Sequence, residues 1–258
     1  MLGAITGDII GSRFEFNNHR STDFELFTNE CSFTDDTICT VAVADTLLQG
    51  ISFEKSLRNR CKEYPNPKGG YGGSFAVWLQ SDNPRPYKSF GNGSAMRVSP
   101  CAWFSNDRKT VLDFAKKSAE CTHNHPEGIK GAMAVADCVF HAHKENRSKE
   151  KIKEIAESYG YDLDMTCAEI RRTNTFNETC QVTVPQAIIC FLESTDFESA
   201  VRLAVSIGGD SDTIAAITGS IAEAFYGIPE NIKQQALGYL PEEMKNVLSN
   251  FYKRIENE

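Results

Sequence analysis

Apolar residues in this chain recur at the three-to-four-residue spacing of a helix face in segment after segment, whereas two-residue alternation over a strand length is scarce. That periodicity predicts an all-α fold. One helix is expected over 34–49, where Ile38, Val41, Ala42 and Leu48 share a face and Gly50 supplies the stop. Another should begin near Ser211, with Ile214, Ile217, Ile221 and Phe225 at helical spacing and Gly227 ahead of Pro229 closing it. Residues 112–121, 126–144, 149–159 and 185–193 carry the same pattern. Between them lie loops rich in Gly, Pro and Asn, chiefly 64–73 and 81–93. Ordered loops of that length in a compact domain often carry binding functions.

With 258 residues the chain can bury one sizeable core, so a single domain spanning 1–258 is expected, and a monomer is the simplest assembly. No run approaches the roughly 18 apolar residues that a membrane helix needs. The first residues lack a basic region and carry Asp8 within their apolar stretch, so they do not read as a secretory signal. A cytoplasmic location is the expectation. The nine cysteines form no CxxC pair and fit free, mostly buried thiols. A net charge of −8 argues against a broad nucleic-acid-binding surface, which needs clustered Lys and Arg. A chain this acidic that handles phosphate must use cations or backbone N–H donors.

Two acidic clusters stand at predicted helix starts: Thr34-Asp35-Asp36-Thr37 and Asp210-Ser211-Asp212-Thr213. Asp, Ser and Thr cap free N–H groups and suit the positive end of the helix dipole, but one cap needs only one such residue. Four aspartates in two first turns would repel strongly if the turns met in the fold. Hard divalent cations, bound by carboxylate and hydroxyl oxygens, would resolve that conflict. Spacing alone leaves double capping and metal binding about equally open.

The segment from Ser89 to Arg97, through Phe90, Gly91, Asn92, Gly93 and Ser94, is a glycine-rich loop able to bring amides close to an anion, though ordinary turns use the same residues. His123 and His125 precede another predicted helix, where capping or loop packing is the simpler reading. Glu15, by itself, reads as a surface acid in a loop.

Together these pieces resemble the ADP-ribosylglycohydrolase family, which includes the dinitrogenase reductase-activating glycohydrolase, and the match is nearest to its compact bacterial branch. The resemblance rests on GAITGDIIGSRFE, FTDDT, YGGSFAVWL, SFGNGSAMRVSP, THNHPEGIKGA, VPQAI and SIGGDSDTIAAITGSIAEAFYGIP, in that order along nearly the whole chain. It implies an orthogonal α-helical bundle with a central cleft holding two Mg²⁺ or Mn²⁺ ions. Thr34, Asp35 and Asp36 match one ligand group, and Asp210, Asp212 and Thr213 the other; Glu15 matches a glutamate that approaches the metals, making Glu15, Asp35 and Asp36 the implied catalytic group. Phe90, Gly91, Asn92, Gly93 and Ser94 resemble the pyrophosphate and ribose segment, His123 a ligand-contacting histidine, and Tyr71 and Gly72 part of the cleft wall. The stretch 171–179 departs from the family pattern. The implied activity is metal-dependent hydrolysis of the bond between ADP-ribose and an acceptor, be it protein, nucleic acid or small molecule. The alternatives are an ADP-ribose-binding protein without turnover and a dinuclear hydrolase of phosphoester or pyrophosphate bonds.

Overall fold

The computed structural model describes residues 1–256. Among them are fifteen helices and, apart from the isolated bridges Thr34 to Lys68 and Gly91 to Thr179, no β-structure. In chain order these are α1 (Leu2–Gly11), α2 (Asp35–Gln49), α3 (Phe53–Glu63), α4 (Gly73–Gln80), α5 (Gly93–Met96), α6 (Ser99–Trp103), α7 (Arg108–Glu120) and α8 (Pro126–Ala142). They continue with α9 (Lys149–Ser158), α10 (Cys167–Thr173), α11 (Cys180–Glu193), α12 (Phe197–Ser206), α13 (Ser211–Tyr226), α14 (Glu230–Gly238) and α15 (Glu242–Glu256). The all-α expectation holds. All nine cysteines are free and only Cys121 is not fully buried. No described helix is long and apolar enough to cross a membrane.

The centre of the bundle is the pair α1 and α13. Every residue of α1 is buried, and α13 packs against α1, α8, α11 and α12. Gly3, Gly7 and Gly11 recur every fourth residue and so form one stripe of α1. A Cβ at Gly7 would lie 2.0 Å from the Ala215 carbonyl oxygen, and one at Gly3 would lie 2.2 Å from that of Gly219. The two helices therefore meet backbone to backbone. At the end of the stripe Gly11 abuts Asp212, with the added Cβ 2.6 Å from the Asp212 Cα. This contact brings the turn after α1, which carries Glu15, beside the first turn of α13.

The helices expected from periodicity are present, with two shifted starts. α7 begins at Arg108 instead of 112 because the Asp107 carboxylate accepts from the Lys109 and Thr110 amides and opens the helix a turn early. α11 begins at Cys180, so Pro185 sits inside it instead of starting it. The carbonyl that proline deprives of a donor belongs to Gln181, which is exposed to water. α1 escaped the periodicity because three of its ten residues are glycine, each costing about 1 kcal/mol in helix propensity.

Candidate active site

Asp8, inside α1, is fully buried, and its carboxylate accepts from the Thr34 amide (3.0 Å), the Thr34 hydroxyl (2.8 Å) and the Thr37 amide (3.1 Å). An aspartate from another helix thus caps α2 and fixes its first turn against α1. Burial pushes the Asp8 carboxyl up to about 6 despite these donors. The Thr34 hydroxyl gives its proton to Asp8 and accepts from the Asp36 amide, which makes it a capping group of this turn.

The second acidic turn is shaped by Gly208 and Gly209, whose φ angles of +68° and +83° lie in the left-handed region that favours glycine. Asn18 clamps it, giving a hydrogen bond to the Gly209 carbonyl and accepting one from the Gly209 amide, each 2.9 Å. Asp210, Asp212 and Thr213 project from this turn into the cleft also lined by Asp35 and Asp36. The two turns meet, which is the condition under which their aspartates repel. The Thr213 hydroxyl donates to Asp36 Oδ1 at 3.3 Å, spanning α13 and α2. Asp36 Oδ2 is buried with no hydrogen-bond partner among the described residues.

Carboxylate oxygens of Glu15, Asp210 and Asp212 all lie within 4.8 Å of one another. Burial, then mutual repulsion, drives these acids upward. Glu15 is pushed to about 8 by burial and by Asp212 and Asp8, and Asp210 to about 7 by burial. Asp212 is held well above the ordinary carboxylate range by burial and the adjacent Asp210, and Asp36 by burial with Asp212. Asp35 is raised by burial too. So many hard oxygens in one buried place, one of them orphaned, fit a divalent cation of the Mg²⁺ or Mn²⁺ type. Glu15 is half-buried in this group, unlike the free surface acid its local sequence suggests.

Across the cleft, Asn92 donates to Asp210 at 2.7 Å and to the Thr183 hydroxyl at 3.1 Å, holding one acid in place. Its amide gives a hydrogen bond to the Glu178 carbonyl and that of Gly91 to the Ser89 hydroxyl, so these two loop amides are already engaged. Ser94 is buried and donates to the Gly128 carbonyl, tying the loop to α8. The Phe90 ring is partly exposed and meets His125 edge-on, while His125 caps α8 through Nδ1. Gly91, Gly93, His123, Tyr71 and Gly72 line the cleft, with the Tyr71 hydroxyl bonded to the Tyr64 carbonyl. The segment 171–179 lies beside the glycine turn, where Asn174 donates to the Gly208 carbonyl.

Four residues in or around this cleft carry no signal in their own motifs. Asp8 is one, legible only as a lone acid within an apolar helix. Asn18, Arg97 and Glu178 are the others, and each needs the tertiary fold to reach its place.

The model of the ADP-ribosylglycohydrolase family matches residues 1–258. Among curated proteins, the chain is 27% identical to the ADP-ribosylhydrolase ARH3 of Homo sapiens, over 93% of this chain and 88% of that protein. It is 24% identical to the ADP-ribosylarginine hydrolase Tri1 of Pseudomonas putida, over 88% of this chain and 70% of that one. A solved structure described as an ADP-ribosylglycohydrolase-related protein complex superposes with a TM-score of 0.72 at 24% identity, over 98% of this chain and 97% of that one. The fold is shared at that level. With the motif order, the paired acidic turns and a match over its full length, this chain belongs to the ADP-ribosylglycohydrolase family.

Proposed function

We propose that the protein removes ADP-ribose from a modified acceptor by hydrolysing the bond at the ribose anomeric carbon. The observation that carries this reading is the convergence of Glu15, Asp210 and Asp212 within 4.8 Å in the cleft that also holds Asp36 and its unpartnered oxygen. Thr34, Asp35 and Asp36 on one side, and Asp210, Asp212 and Thr213 on the other, would hold two Mg²⁺ or Mn²⁺ ions. When bound, such ions supply compensating positive charge and Lewis acidity.

Glu15 takes the proton of the attacking water. It is only half-buried and stands next to Asp212, whose field favours its protonated form. Asn92 keeps Asp210 turned into the cleft. The glycine-lined part with His123 receives the pyrophosphate, and Tyr71 and Gly72 form another part of the cleft wall. Placing phosphate on neutral donors and cations explains how a chain of net charge −8 binds an anion. The assembly is a monomer in the cytoplasm.

The test is incubation of the protein, with Mg²⁺ or Mn²⁺ and separately with EDTA, against substrates ADP-ribosylated on arginine, on serine and on nucleic acid, with products separated by chromatography. Release of intact ADP-ribose that requires metal and is lost in Glu15→Gln supports the reading. Appearance of AMP points instead to pyrophosphate cleavage. Binding of ADP-ribose without release from any substrate points to a binding protein.

A further inference from the structure

Arg97, the C-cap of α5, lines the cleft yet is 1% exposed, and no ion pair among the described residues involves it. Its Nη2 donates to the Ser118 carbonyl and to the Thr122 hydroxyl, each at 2.8 Å, while its Nε has no partner among the described residues. The Thr122 hydroxyl in turn lies 2.7 Å from His123 Nδ1. A guanidinium can only donate, so the hydroxyl accepts from Arg97, and His123 Nδ1, at 2.7 Å, is the nearest acceptor for its own proton. The opposite assignment, with a proton on Nδ1, would turn the buried hydroxyl proton away from this short contact toward Tyr87 or Cys121. The 2.7 Å contact with the hydroxyl as donor corresponds to the tautomer with the ring proton on Nε2.

That nitrogen faces the glycine loop. A Cβ at Gly93 would lie 3.1 Å from it and one at Gly91 3.6 Å, so any side chain there would crowd the donor. Nε2 makes no hydrogen bond among the described residues, and His123 borders the cleft. Burial and the nearby Arg97 charge keep the ring neutral, so it acts by the direction of one N–H and not by charge.

We propose that Arg97, acting through the Thr122 hydroxyl, locks His123 in the tautomer that presents Nε2–H to the glycine-lined half of the cleft as a fixed donor for a phosphate oxygen of the ligand. Arg97 and Thr122 are positioning residues, and the ligand named here rests on the proposed function. Exposure of a donor with no protein acceptor, at a place kept free of side chains, is what a bound anion would complete.

The test pairs Thr122→Val, which removes the hydroxyl, with Thr122→Ser, which restores it. Ring ¹⁵N spectra of the metal-free protein report the tautomer, with His123→Gln assigning the signals, and calorimetry reports affinity for ADP-ribose. In the wild type and in Thr122→Ser, Nδ1 is bare and Nε2 protonated. In Thr122→Val the ring becomes a mixture of tautomers and ADP-ribose binds about tenfold more weakly, as expected for one misdirected hydrogen bond to a charged group. A proton on Nδ1 in the wild type overturns the proposal, as does a Thr122→Val protein with unchanged spectrum and affinity. A wild type that fails to bind ADP-ribose defeats the assigned ligand and the functional reading with it, while the ring spectra still decide the tautomer lock.

Discussion

Replacing Asp212 by Asn separates what this cleft costs the fold from what it does. Asp212 is buried and shares a 4.8 Å neighbourhood with Glu15 and Asp210. At that separation and an effective dielectric of about 20, each pair of ionised carboxylates repels by about 3.5 kcal/mol. Asp212→Asn removes two of the three pairs, and the amide oxygen can still accept from the Thr213 amide as the carboxylate does now. Protonation already relieves much of the repulsion, since Asp212 itself is held well above the ordinary carboxylate range and hydrogen-bonds Asp210, which stands near 7, with Glu15 near 8. A net gain of roughly 1–2 kcal/mol is therefore expected for the metal-free variant at pH 8, which for a domain of this size raises Tm by about 2–4 °C.

The sign of the pH dependence follows from the direction of the shifts. A carboxyl raised from 3.8 to about 7 holds its proton longer in the folded protein than in the unfolded chain. Stability is therefore full below about pH 4 and is lost as pH climbs through 7. The advantage of Asp212→Asn in EDTA should be widest at pH 8 and shrink toward pH 5. Adding Mg²⁺ reverses the order: at a hundredfold excess over its Kd a ligand stabilises the wild type by about 2.7 kcal/mol, and the variant should gain little of this. Scanning calorimetry in EDTA and in Mg²⁺ at the two pH values reads all four quantities, and activity should be abolished throughout. A variant that melts lower than wild type in EDTA, yet gains the same increment from Mg²⁺, would refute both the repulsion and the metal site.

Other perturbations probe the scaffold. Gly7→Ala places a methyl 2.0 Å from the Ala215 carbonyl, so α1 and α13 must separate and stability should fall by about 3 kcal/mol or more in chemical denaturation. Gly238→Ala is its control, because nothing lies within 4 Å of the added carbon, and it should be neutral or stabilising by about 0.5 kcal/mol. Asn92→Ala withdraws the 2.7 Å hydrogen bond to Asp210 and should weaken metal affinity about 10- to 100-fold with little loss of fold, measured by metal titration and far-UV dichroism.

The sequence by itself determined the helical class, because apolar periodicity is a local property that each segment of 11 to 18 residues displays without its neighbours. It also marked both acidic turns, since two aspartates each at two helix starts exceed any capping need, and motif order pointed to the family. Other features are pairwise or angular and only the tertiary structure decided them. Glu15 reads locally as a loop acid, and becomes a member of the carboxylate group only because the glycine stripe of α1 lets Gly11 touch Asp212. Gly3, Gly7 and Gly11 lower helix propensity, so the element at the centre of the bundle carried little local signal; burial of α1 against α13 outweighs that cost. Asp8 looked like an interruption of an apolar run until the fold laid it under the first turn of α2, where four hydrogen-bond donors converge. Arg97 and Thr122 stand 25 positions apart, and the hydrogen bond that directs His123 exists only because α5 is packed near the end of α7. Local pattern specifies which residues can do the chemistry, while their distances, orientations and proton positions come from helix packing, which no single segment encodes.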